Sequence, residues 1–126
     1  RIESKCKEYG CELLIGQNTY EKTNNNFFYL KVDDLAVKGK TVGVGIWTVI
    51  DEVKDGYYQS QKLHQEMYRL YQSQQFSKAM VICQQLKSHF DCQMNDYYDM
   101  WIERCEYMKT QDLPKDWNGV FIATTK

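Results

Sequence analysis

Two cations in this chain have the type and setting to hold a phosphate: Lys38 and Lys40, which flank Gly39 in "DDLAVKGKTVGVGIWTVID". A lysine ammonium is a point charge whose aim depends on what fixes its stem. Two alternating apolar runs meet at "KGK", so Lys38 ends a strand, and the adjacent glycine lets backbone approach a ligand closely. Lysines at a hairpin tip also serve solubility alone, and "KGK" by itself does not separate the two roles. Other chemistry is sparsely supplied. Cys6, Cys11, Cys83, Cys92 and Cys105 form no C-x-x-C pair and have no histidine at ligand spacing, which argues against zinc. They read as reduced thiols of a cytoplasmic compartment, most of them small core residues. His64 and His89 fall in helical stretches without an acidic or thiol partner and read as structural. Asp33 and Asp34 are adjacent in a strand, point to opposite faces and do not converge on one metal; a bulge or an edge charge accounts for both.

The elements that would position these residues follow from periodicity. Arg1 to Tyr9 reads as the end of a helix stopped by Gly10, "CELLIG" as a short strand and "QNTYEKT" as a short helix or turn. An antiparallel hairpin is expected over residues 27–50, with its turn at 38–41 and a bulge where the apolar phase switches at Asp33 and Asp34. Beyond Asp51 the period becomes about 3.6 and persists to Met108. Three apolar stripes predict three helices: Leu63, Met67, Leu70 and Tyr71; Phe76, Ala79, Met80, Cys83 and Leu86; Met94, Tyr97, Trp101, Cys105 and Met108. The ending "DLPKDWNGVFIATTK" is too apolar to stay free, so Trp117 is expected to be buried against the helices or the hairpin.

Bulk properties set outer limits. The 126 residues fit one modest domain or part of one, and 43% hydrophobic with 14% aromatic content suffices for a core. A net charge of −1 gives no field for a polyanion, so no nucleic-acid partner is expected. No apolar run reaches the length of a membrane span, and no direct membrane contact is expected.

Three stretches, "RIESKCKEYGCELLIG", "LKVDDLAVKGKTVGVGIWTVIDE" and "LPKDWNGVFIATTK", together resemble the C-terminal half of the catalytic domain of class III nucleotidyl cyclases. The likeness is nearest to bacterial adenylate cyclases that carry a sensor domain upstream and end in an Asp-Trp-Asp-Gly stretch. Gly43 stands where that family usually has proline, Asn118 where it has Asp and Phe121 where Trp is common. The resemblance implies an α+β chain. Residues 1–53 would be the last portion of a ferredoxin-like cyclase domain, an antiparallel hairpin plus one short strand. Residues 54–126 would be a three-helix extension with a docked tail. Within the extension, "LYQSQQFSKAMVICQQL" resembles the middle of a single tetratricopeptide unit, with Tyr71 and Ala79 at matching places and Gln74 where glycine is usual.

The family converts ATP to cyclic AMP and pyrophosphate for signal transduction, and the resemblance assigns roles by position. Arg1 matches the arginine that stabilises charge on the transferring phosphate, and Lys38 matches the lysine on the terminal phosphates. Lys40 is either solvated or an auxiliary phosphate contact. The family's metal-holding aspartates and base-selecting residues have no match in this chain. Mg2+ or Mn2+ is therefore expected for the parent enzyme only, GTP stays open beside ATP, and the chain alone is expected to be inactive. A homodimer is implied, in the cytoplasm or on the cytoplasmic side of a membrane-anchored parent. Two other readings stand beside this one: a non-catalytic interaction module presenting Tyr97, Tyr98 and Trp101, and a degenerate cyclase domain kept for regulation.

Overall fold

Gly10 turns the first helix into the sheet. Helix α1 (Ile2–Tyr9) closes there at a φ of +69°, with Gly10 N–H donating to Lys7 O and Cys11 N–H donating to Cys6 O. A Cβ at this position would lie 2.7 Å from Asp96 Cβ, so the turn also needs glycine to pack against the third long helix. The structure is a computed structural model that describes residues 2–36 and 42–122. Strand β1 (Ile15–Gly16) runs directly into helix α2 (Gln17–Thr23), and the long strands β2 (Phe28–Ala36) and β3 (Val44–Ile50) follow.

β2 and β3 pair antiparallel from Phe28↔Ile50 to Leu35↔Val44, as the alternating runs predict. Their register shifts between Lys31 and Asp33, where the phase switch predicts a bulge. The turn expected at 38–41 lies outside the described residues. β1 adds to β3, and β4 (Phe121–Ile122) pairs parallel with β2 through Leu35↔Phe121 and Ala36↔Ile122, giving the order β1-β3-β2-β4. The sheet is thus mixed and the chain is α+β.

Helices α3 (Tyr57–Gln72), α4 (Phe76–Leu86) and α5 (Asn95–Lys109) bury the three predicted stripes; a short 3-10 turn (His89–Cys92) joins α4 to α5. Leu63 and Met80 are only partly buried, packed against the rest of the core. One cluster joins sheet to helices: Tyr9, Leu30, Val32 and Ile46 share it with Met67, Tyr71 and Trp101. Trp101 anchors its aromatic centre, with ring centroids 4.6 Å from Tyr71, 5.6 Å from Tyr97 and 5.7 Å from Tyr68.

The tail docks. Trp117 is half-buried, set edge-on to Tyr71 at 5.3 Å and to Phe76 at 6.0 Å, and its indole N–H donates to Val120 O at 3.2 Å. Val120 lies so close to Gly43 that a Cβ there would meet its Cγ2 at 2.6 Å. Glycine at 43 therefore makes room for the tail, which a proline ring would obstruct. The five cysteines are free; Cys11, Cys83 and Cys105 are buried and Cys92 is exposed. Among the described residues, no helix is long and apolar enough to cross a membrane.

Candidate functional site

Arg1, Lys38 and Lys40 lie outside the described residues, so what the structure gives is the elements that carry them. Arg1 immediately precedes α1, and Lys38 comes two residues after the end of β2 at Ala36. Both carriers are gripped by one buried cluster built on the β2 bulge.

A bulge interrupts the ladder, and buried carbonyls along it must find donors elsewhere. The helices supply them. Gln61 Nε2 of α3 donates to Tyr29 O at 2.9 Å, His64 Nε2 to Lys31 O at 2.6 Å, and the Tyr97 hydroxyl of α5 to Val32 O at 2.7 Å. At the next residue the side chain is held instead. Asp33 Oδ2 accepts from the Tyr9 hydroxyl at 2.6 Å and lies 2.7 Å from Arg104 Nη1, while Asp33 Oδ1 accepts from the Asp34 N–H at 2.9 Å. α1, β2 and α5 thus meet at one carboxylate.

Of the two expectations for Asp33, a bulge or an edge charge, the register shift between Lys31 and Asp33 bears out the bulge and the sheet order rules out the edge. β2 has neighbours on both sides, and Asp33 is 0% exposed. Asp34 does diverge from it, accepting from the Tyr68 hydroxyl at 3.0 Å and pairing with Lys31 Nζ at 3.0 Å. Burial pushes the Asp33 carboxyl up from its ordinary value, opposed by Arg104, the Tyr9 hydroxyl and the Asp34 N–H. Burial also works against the Arg104 charge, but Asp33 outweighs it and the guanidinium pKa stays above its ordinary value. An arginine does not give up its proton in a protein, and its fixed charge beside Asp33 favours the carboxylate form against burial. Arg104 also lies 3.8 Å from the Phe121 ring centroid and 4.7 Å from that of Trp101, which ties β4 to the same point.

His64 is structural, as its sequence setting suggests, but it does specific work. Its Nε2–H goes to a carbonyl that only accepts, so Nδ1 must accept from the Tyr98 hydroxyl, 2.8 Å away. Burial lowers its pKa to about 4, against the bond to Lys31 O that raises it, and fixes the neutral ring. His89 Nδ1 lies 2.7 Å from Ser60 Oγ and bridges the 3-10 turn to α3.

On the outer side of β2 the Lys31 ammonium lies 5.7 Å from the Trp47 ring centroid and 5.5 Å from that of Tyr68, beside a half-open cavity of about 210 Å³. Trp47 is itself fixed, stacked on Tyr20 at 3.6 Å and donating its N–H to Gln17 Oε1 at 3.1 Å. Asp34 already neutralises Lys31, so this pocket has no unpaired charge at its floor.

For the Mg2+ or Mn2+ that the resemblance implies, the described residues offer no donor set. Asp33 is engaged by Arg104 and Tyr9, Asp34 by Lys31 and Tyr68, and no group of three His, Cys, Asp or Glu among the described residues could hold a metal ion. The sequence did carry one signal of the buried cluster. Arg104 is a lone cation seven residues after Tyr97 on an apolar stripe, and Asp33 is an acid between Val32 and Leu35. No protein-family model, no curated protein and no solved structure matches the chain.

Proposed function

We propose that residues 1–53 are the last portion of a class III nucleotidyl cyclase catalytic domain and that residues 54–126 are an extension packed onto it. The observation that carries this reading is the β2–β3 register: the last rung, Leu35↔Val44, leaves "VKGK" between two strands that are fixed by a buried ladder. A lysine in the segment between two such strands is the candidate ligand for a terminal phosphate of ATP. Arg1, leading into a helix tied through Tyr9 to the same strand, supplies a planar donor for charge developing on the transferring phosphate. The site works with Mg2+ or Mn2+ held by residues outside this chain, in a homodimer that produces cyclic nucleotide and pyrophosphate from ATP, or cyclic GMP from GTP.

The three aromatics named for the interaction-module reading, Tyr97, Tyr98 and Trp101, are all 0% exposed and so do not present a contact surface. The deciding experiment joins residues 1–126 to their upstream coding sequence and assays ATP and GTP with manganese or magnesium. Lys38→Ala is expected to weaken kcat/KM by about 1.5–3 kcal/mol, the range for a hydrogen bond to a charged group, while the 126 residues alone give no product. Unchanged kinetics in that variant return Lys38 to a solubility role.

A further inference from the structure

We propose that Cys6 and Cys11 form one dithiol site at the closure of α1, which a peroxide converts to a disulfide. The site is independent of the cyclase reading.

Its geometry comes from how the helix ends. Gly10 N–H donates to Lys7 O at 3.3 Å while Cys11 N–H reaches back to Cys6 O at 3.0 Å, the paired closing bonds of a Schellman turn. In that turn the two residues joined by the outer bond bring their side chains together, a contact that apolar residues commonly fill. This chain has a thiol at both places. Burial pushes the Cys11 thiol up to about 12, and the neighbouring Cys6 pushes it the same way, so the Cys11 sulfur lies within the field of the other. Cys6 is half-buried, and Cys11, although buried, lines a cavity of about 190 Å³ with Leu13, Thr48 and Met94. The other thiols are set apart from this turn: Cys83 and Cys105 are buried on α4 and α5, and Cys92 is exposed in the 3-10 turn.

Exposure makes Cys6 the first to react. Its sulfur attacks one peroxide oxygen, the O–O bond breaks and the departing hydroxide takes a proton to become water, which leaves a sulfenic acid on Cys6. The Cys11 sulfur then attacks the Cys6 sulfur, the S–O bond breaks, and the hydroxyl leaves with the Cys11 proton as a second water. Two thiols lose two electrons and one peroxide gains them. A thiol with a pKa as high as that of Cys11 supplies little thiolate, so the second step is the slow one. The bridge closes a short loop around Tyr9, whose hydroxyl holds Asp33, and so clamps the end of α1 that reaches the β2 bulge.

Trypsin cuts after Lys5, Lys7 and Lys22 and so separates the two thiols. When the folded 126-residue chain is treated with hydrogen peroxide, alkylated and digested, fragment 6–7 should be joined to fragment 8–22. The joined pair should be about 2 Da lighter than the two reduced fragments together and should come apart in dithiothreitol. In Cys11→Ser the partner thiol is gone, so Cys6 should stop at a sulfenic acid that dimedone traps, and then pass to sulfinic acid with no linkage. Two results in the wild-type chain overturn the site. One is Cys6 oxidised to sulfinic acid while Cys11 remains a thiol; the other is fragment 8–22 joined to fragment 88–104, which pairs Cys11 with Cys92 instead.

Discussion

His64 shows how one buried side chain makes the stability of the chain depend on pH. Its ring is neutral because burial holds the pKa near about 4, whereas in the unfolded chain it sits near the ordinary 6.5. Between those values the unfolded state binds the extra proton and the folded state does not, so stability must fall as pH falls from 6.5 towards 4. Above 6.5 the contribution is complete. At about 1.4 kcal/mol for each pH unit of difference, it amounts to about 3 kcal/mol. Urea unfolding at pH 7 and at pH 4.5 measures it, with His64→Gln as reference because that variant keeps the carboxylate contributions and lacks this one. The wild-type chain should lose more stability over the interval than the variant does. Equal losses would mean that the ring titrates near its ordinary value and that Tyr98 and Lys31 do not hold it neutral.

At the scale of elements, what the sequence made legible was what depends on neighbours along the chain. The alternation around "KGK" located β2 and β3, the phase switch at Asp33 and Asp34 located the bulge, and three stripes located α3, α4 and α5. The pairing that holds the bulge was not legible: Asp33 and Arg104 each stand out among apolar neighbours, but they lie far apart in sequence and nothing near either points to the other. The parallel pairing of β4 with β2 was missed for the same reason: two strand residues after a turn carry no periodicity to read. The Asp33–Arg104 pair makes a separable prediction. Arg104→Ala leaves a buried carboxylate without its partner and should cost about 3–5 kcal/mol. Asp33→Asn combined with Arg104→Met, uncharged and of similar volume, should recover most of that loss. Urea midpoints of the single and double variants decide it, and a double variant no more stable than Arg104→Ala would show that the ion pair itself, beyond its volume, holds β2 to α5.

For the whole molecule, the sheet and the helices are two halves of one core. Leu30, Val32, Ile46 and Ile50 of the sheet are buried in the same cluster as Met67, Tyr71, Trp101 and Cys105 of the helices. Cutting the chain after residue 53 would bare that apolar face to water and take from Lys31 O and Val32 O the donors that α3 and α5 supply. It would also remove β4 from the side of β2. Each core side chain left in water forfeits roughly 1.5–3 kcal/mol of burial, so the sheet half has too little left to order its backbone. A chain of this size with one shared core should unfold as a single unit. Thermal unfolding followed by far-ultraviolet dichroism, which reports the helices, and by tryptophan fluorescence, which reports Trp47 on the sheet, Trp101 in the core and Trp117 in the tail, should therefore give one midpoint. Residues 1–53 alone should show no cooperative transition. Two resolved midpoints, or a helical half that melts unchanged when the sheet is removed, would mean that the helices fold for themselves and only rest on the sheet, so that the core they share is not what holds β2 in place.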